Sequence, residues 1–343
     1  MWLLRIAALL LTIIPGLVIA TQGQGAPLEK PSLKLAVGGK VLIAYLPLTI
    51  AERRGYFTKE GLQVEINDFQ GGSKSLQSLI AGSADVACGA YEHTLYMAVK
   101  GQAIKAIALQ ANSFGLVVGI GKAKASSYHS LRDLKGMKIG VTSPGSASAI
   151  GLKMLLSKVG LTDNDVSIIG IGGGPAAVVA VTSGKVDAVA NFDPAISILE
   201  RDGAIKTILD TRREKDLEYL YGGPFAASSF YVRADFVERY PHTAQAFANA
   251  VSAALAWMTK ASTDEIVATV PPEYYGKDRA LYRAMVESNR SRVSPDGRIS
   301  PEAAARVLHN LSAFEPSLKG AKIDLASTYD NSFVDRAPKL RAK

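Results

Sequence analysis

The chain has 343 residues, of which 48 % are hydrophobic and 20 % charged, a globular composition that excludes a disordered chain and exceeds what a single core usually serves. The net charge is +8. The Lys and Arg residues are scattered among Asp and Glu rather than gathered in a basic stripe interleaved with aromatics, so nucleic-acid binding is not expected. Cys88 is the only cysteine; an intramolecular disulfide and a thiolate metal site are excluded, and its apolar run predicts a buried structural thiol.

In chain order, residues 1–26 read as a signal peptide. Arg5 supplies the positive start, residues 6–19 an apolar run broken at Pro15-Gly16, and Ala20 or Ala26 a small residue for cleavage. A membrane span needs ~20 uninterrupted apolar residues, so export with cleavage is the expectation, and the mature protein is placed in the periplasm.

An internal echo follows at an offset of 102 residues. The stretch starting at Val64 and ending in Gly71-Gly72 resembles the one starting at Val166 and ending in Gly173-Gly174, and without a gap Gly82 matches Gly184, Asp85 matches Asp187 and Gly101 matches Gly203. Each copy reads as strand, Gly turn, helix, strand, helix, strand, which predicts a helix-covered, largely parallel sheet. Two such lobes imply a cleft at the carboxyl ends of their strands. The expected division is residues 27–115 and 225–343 for a discontinuous first lobe and residues 116–224 for the second. Residues 226–233 read as a strand returning to the first lobe. Beyond it the chain reads as mainly helical, with Ala244, Phe247, Val251, Leu255 and Met258 at helical spacing and Ser300-Pro301 as N-cap and N1 of a later helix.

The candidate site lies on the loops facing that cleft. Ser143, Ser146, Ala147 and Ser148 sit where a strand gives way to a helix, whose free N–H groups favour an anion; the competing reading is that Ser146 caps its own helix. Gly72, Ser73 and Lys74 open the first-lobe helix in the same way, and Gly174 ends the matching glycine turn of the second copy. Tyr91 and Phe192 are candidate flat walls, and His93, Asn191 and Asp193 candidate orienting groups, with core packing and helix capping as the structural alternatives. Tyr45, Leu46 and Pro47 form a rim after the first strand, and Phe114 and Tyr221 stand near the crossovers. No catalytic residue, metal ligand or cofactor motif is found: the four histidines lack ligand spacing, and neither glycine turn carries the Gly-Lys-Ser/Thr of a phosphate-binding loop.

Several of these stretches resemble the periplasmic binding proteins of ABC importers for sulfonates, nitrate, taurine and thiamine-pyrimidine precursors. The carrying residues are the run from Tyr45 to Glu52, Gly55-Tyr56-Phe57, the run from Glu60 to Glu65, Gly71-Gly72, the run from Ala81 to Ala87, Asp133-Leu134-Lys135-Gly136 and the run from Gly184 to Ala188. The resemblance implies a type II periplasmic-binding fold with two α/β lobes, a cleft and two crossovers. It implies ligand contacts at Tyr45, Ser73, Ser146 and Phe192, an anionic or aromatic small-molecule ligand, a permease partner and a monomer. Family members often carry Trp where this chain has Phe192, a departure that leaves the substrate open. The alternatives are an enzyme of pyrimidine synthesis, which in its fungal form relies on a cysteine-rich motif, and a sensory binding module.

Overall fold

The computed structural model describes residues 27–338; the signal-peptide expectation and the extreme C-terminus lie outside the described residues. Two five-stranded sheets organise the chain. The strands are β1 (Ser32–Gly38), β2 (Gln63–Phe69), β3 (Val86–Ala90), β4 (Ile104–Leu109), β5 (Val117–Gly121), β6 (Lys138–Val141), β7 (Ser167–Gly170), β8 (Ala188–Asn191), β9 (Ile205–Asp210) and β10 (Ser228–Arg233). The first sheet runs β2-β1-β3-β10-β4 and the second β7-β6-β8-β5-β9. In each, four strands run in one direction and a single antiparallel strand sits between the third and the outermost. The antiparallel strand is exchanged: β5 follows β4 but joins the second sheet, and β10 follows β9 but joins the first. The chain therefore crosses between lobes twice, as expected.

The echoed residues do the same work in both lobes. Asp85 donates its N–H to Lys34 O at 2.8 Å, and its Oδ2 accepts from Lys34 N at 3.0 Å. Asp187 repeats this on Lys138, at 2.8 and 2.9 Å. A carboxylate at the mouth of the third strand thus ties it to the first, where the ladder has no other partner for that N–H. The exchanged strands also share an irregularity, a register shift at Phe230/Tyr231 against β4 and at Val118/Gly119 against β9.

Helix Gly72–Ile80 starts close against the end of β1. A Cβ on Gly38 would fall 2.1 Å from Gly72 N, so the backbone approach itself requires glycine there. The C-terminal third packs on the first sheet: helix Pro241–Lys260 lies against β4, and Phe57 stacks on its Phe247 at 5.3 Å. Ser300 caps helix Pro301–Ser312 by accepting from Ala303 N, as its sequence predicts. Among the described residues, no helix is long and apolar enough to cross a membrane.

Candidate functional site

The two lobes meet where two helices point their N-termini at each other. Helix Gly72–Ile80 comes from the first lobe and helix Ala147–Ser157 from the second. Between them, Ser146 Oγ accepts the Ser73 N–H at 3.1 Å and lies 2.6 Å from Ser143 Oγ. Ser73 Oγ lies 2.7 Å from Ser143 Oγ and donates to Pro144 O at 2.8 Å. The Ser73 proton is thereby committed to a carbonyl, so Ser143 donates to Ser73 and Ser146 to Ser143. Ser146 makes no cap bond to its own helix. Its hydroxyl is turned to the other lobe, which decides against the plain N-cap reading. The unpaired N–H groups and dipoles of both helices favour negative charge at this junction.

His93 is a second bridge. Its Nε2 is 3.2 Å from Gly145 O of the second lobe and its Nδ1 2.8 Å from Tyr231 OH of the first. A carbonyl only accepts, so Nε2 carries the proton and Nδ1 accepts from the tyrosine. Burial pushes the imidazole pKa down to about 4, so the bridge is neutral at pH 7. A Cβ on Gly72 would sit 3.4 Å from His93 Cε1 and 3.6 Å from Tyr45 OH, ordinary contact distances that place both rings over the helix start. Beside this junction a groove of about 710 Å³ runs between the lobes, with apolar walls that include Leu76, Ile80, Met97 and Ile150.

On the hinge side, a cavity of about 20 Å³ is lined by Ile43, Ala44 and Pro47 of the first lobe and Phe192 and Asp193 of the second. Phe192 belongs to an aromatic cluster at the crossovers: Phe114 is 5.5 Å from Phe192 and 6.0 Å from Phe225, and Tyr221 stacks on Phe225 at 4.4 Å. The crossovers bond to each other, Phe225 N to Asn112 O at 2.7 Å and Ala227 N to Ala111 O at 3.1 Å.

Several expected site residues are engaged elsewhere. Tyr91 is fully buried, and its hydroxyl meets Thr328 Oγ1 at 2.5 Å; it is a core residue of the first lobe and not a cleft wall, because its ring turns under the C-terminal segment. Lys74 is exposed and reaches Gln77 Oε1 at 3.4 Å, away from the junction. Ser148 bonds to Thr142 within the second lobe at 2.9 Å, with Ala147 buried beside it. Asn191 holds its own loop through Gly172 O at 2.8 Å. Leu46 is buried, and Gly174 is the N-cap of helix Pro175–Thr182. Asp193 accepts from Ser197 N at 3.1 Å, from Asn289 Nδ2 at 3.0 Å and from Arg212 Nη1 at 3.3 Å. The capping alternative is realised, within a larger ionic network.

Sequence reasoning missed Asn289, Arg292 and Arg212. Arg212 contacts Asp193, Glu200 and Asp210. Arg292 donates to Thr211 O and to Arg212 O across the lobe boundary. Lys153–Glu315 at 3.3 Å and Arg201–Asp278 at 2.7 Å also join the second lobe to the C-terminal region. No local motif announces such residues, since their partners lie up to 162 positions away.

The chain is 28 % identical over 300 residues to a putative aliphatic sulfonates-binding protein of Bacillus subtilis (strain 168), covering 85 % of this chain and 84 % of that one. It is 27 % identical over 226 residues to 4-amino-5-hydroxymethyl-2-methylpyrimidine phosphate synthase of Schizosaccharomyces pombe, covering 63 % and 62 %. A solved protein of Bordetella bronchiseptica RB50 superposes with a TM-score of 0.88 at 46 % identity, covering 91 % of this chain and 98 % of that one. The alkanesulfonate-binding protein SsuA of Xanthomonas axonopodis pv. citri superposes at 0.70 with 17 % identity, covering 88 % and 99 %, which shows the periplasmic-binding-protein fold. The model of the NMT1-like family matches residues 26–270, and the chain belongs to that family.

Proposed function

We propose that the chain is the extracytoplasmic solute-binding component of an ABC importer, clamping a small organic anion, sulfonate-like or aromatic, between its lobes and delivering it to a permease. The observation that carries this reading is the convergence of two helix N-termini from different lobes on Ser73, Ser143 and Ser146, with Ser146 directed across the boundary and not to its own helix. An acidic group there would accept N–H and O–H bonds from both lobes, each charge-assisted bond worth about 1.5–3 kcal/mol. Such a ligand binds the closed arrangement better than the open one, and only that difference shifts the population toward closure. The neighbouring apolar groove suits the body of the solute. The relative named for sulfonates and the SsuA structure support the ligand class, and the exported, periplasmic setting goes with it.

The test is a thermal-unfolding panel with taurine, ethanesulfonate, nitrate, sulfate and a 4-aminopyrimidine. A ligand at 100 times its Kd stabilises by about 2.7 kcal/mol, an upward shift of several degrees. A shift with at least one anion is expected; none with any of them removes the reading. The pyrimidine-synthase relative motivates a second reading, an enzyme on the same fold. Against it stands the single cysteine, Cys88, which is buried and accepts from Gln110 Nε2 at 3.0 Å. A solute recovered chemically unchanged after prolonged incubation separates binding from turnover.

A further inference from the structure

Folding gathers lysines that lie far apart in the chain. Strands β6, β7, β8 and β9 begin, and β5 ends, along the edge of the second sheet remote from the serine junction. Along that edge stand Lys122, Lys124, Lys135, Lys138, Lys185 and Lys206, all exposed. The ladder fixes their proximity. Lys138 N bonds to Asp187 Oδ2 at 2.9 Å, Gly121 N to Asp187 O at 2.8 Å, and Lys122 N to Ala204 O at 2.9 Å. The carboxylates among them are engaged. Asp133 accepts from His129 N and Ser130 N, Asp165 from Thr162 N, and Asp163 and Asp202 pair with Lys153 and Arg201. Lys124 and Lys135 approach Asp187 and Asp165 at 4.0 and 3.3 Å; among the described residues the other four lysines form no ion pair. The balance along the edge stays positive.

The first lobe shows that the fold does not require this. Its corresponding edge is neutralised pair by pair. Lys34 stands opposite Glu65 in the β1–β2 ladder, whereas Lys138 stands opposite Ser167 in the β6–β7 ladder. After β10, Arg233 pairs with Asp235 at 3.1 Å, whereas β5 runs into Lys122, Ala123 and Lys124. Lys30 pairs with Asp85 at 2.5 Å. Both lobes keep the tethering aspartate, but the second lacks the other acids.

The residue types select the partner. Protein interfaces are enriched in Arg and aromatic residues and depleted in Lys. Here the unpaired cations are lysines but for Arg132, and Tyr128 is half-buried beneath Lys206, 5.6 Å from its Nζ. An ammonium on a flexible stem has no fixed hydrogen-bond geometry, which suits a layer of mobile phosphate headgroups. We propose that this edge docks the second lobe on an anionic phospholipid bilayer. Each lysine near such a surface raises partitioning about fivefold, so a cluster acts where a single residue does not. The edge and the serine junction occupy opposite ends of β6 and β8. Docking therefore leaves the junction free, and the proposal does not rest on the solute-binding reading.

The test is co-sedimentation of the purified protein with vesicles of phosphatidylcholine alone, or with about 30 % phosphatidylglycerol added, in ~20 mM and ~500 mM salt. Binding is expected only to the anionic vesicles and only at low salt. Lys122→Glu/Lys138→Glu/Lys206→Glu should weaken it at least about a hundredfold. Lys34→Glu/Lys59→Glu/Lys100→Glu makes the same change of charge on exposed lysines of the first lobe, and should weaken it less than about tenfold. Glutamine at the same three edge positions serves if the reversed chain does not fold. Wild type that stays in the supernatant overturns the proposal, as does binding that survives in the edge variant. Equal losses in the two variants overturn it as well, since net charge would then act without the edge. Retention on immobilised polyglutamate at a salt concentration that releases the protein from the vesicles would assign the edge to an acidic protein and overturn the membrane assignment.

Discussion

Ser73 Oγ and Ser143 Oγ lie 2.7 Å apart, so a hydrogen bond between side chains of different lobes marks the point where two helix dipoles converge. The lobes touch there through small polar groups alone, and a change of one atom is felt only when they are shut.

Gly71 shows this most simply. Its φ of −177° is extended backbone that any residue adopts, yet a Cβ would fall 2.4 Å from Ser143 Oγ and 2.8 Å from Ser146 Oγ. Gly71→Ala is therefore expected to fold normally and to resist closure. Small-angle scattering at saturating solute should give a larger radius of gyration than wild type, with unfolding temperature little changed. An equal radius would show that the contact yields without cost.

Ser146→Asp separates folding from binding. Aspartate is a good N-cap, and its carboxylate can accept the Ser73 N–H that Ser146 now accepts. Stability is expected to hold or rise. Affinity for an anion at the junction should fall at least about tenfold, since a like charge there costs several kcal/mol. Calorimetry with the best anion of the thermal panel checks it; unchanged affinity moves the anion elsewhere.

The adjacent Glu92 and His93 give opposite pH dependences. Burial pushes the Glu92 carboxyl up from 4.5 to about 8 and the His93 imidazole down from 6.5 to about 4. The folded state holds the Glu92 proton that the unfolded chain releases, so this group lowers stability as pH rises from about 4.5 to 8. For His93 the unfolded chain takes up the proton first, so stability falls as pH drops from about 6.5 to 4. Urea unfolding of wild type and Glu92→Gln across pH 5–9 isolates the first effect. The variant should gain on wild type steadily up to about pH 8; parallel curves would show that Glu92 is not held protonated.

Much of this architecture is legible in the chain because it is repeated. Asp85 and Asp187 recur at one offset because each tethers its strand through the same two backbone bonds, and such local chemistry leaves a pattern. The serine-rich helix start was legible for the same reason. Which way a side chain turns was not. Tyr91 and His93 are two residues apart at the start of one helix, yet one ring enters the first-lobe core and the other bridges to Gly145. Phe192 reads as a cleft wall, and the structure adds its packing on Phe114. Asn289 and Arg292 sit in a region legible only as helical, and their partners are set by how the lobes meet.

Asp193 is the residue on which the hinge-side network depends. Its carboxylate is 1 % exposed and faces Arg212, with Asn289 on a second side. Arg212 keeps Glu200 and Asp210 when Asp193 is removed, so the loss falls on the groups that Asp193 satisfies, Ser197 N–H among them, at about 1–3 kcal/mol for a buried polar group left unpaired. Asp193→Ala is expected to lose that much in urea unfolding. Arg201→Ala, which breaks an exposed, solvent-screened pair with Asp278, should lose far less. Equal losses would show that the buried network is no stronger than the surface pair.

The clamp reading is tested most directly by mass spectrometry of protein exposed to periplasmic extract, washed, and then denatured to release what it holds. One small acid, released intact in about equimolar amount and lost in Ser146→Asp, is the expected result. Protein that captures nothing, or that returns a chemically altered product, would contradict it.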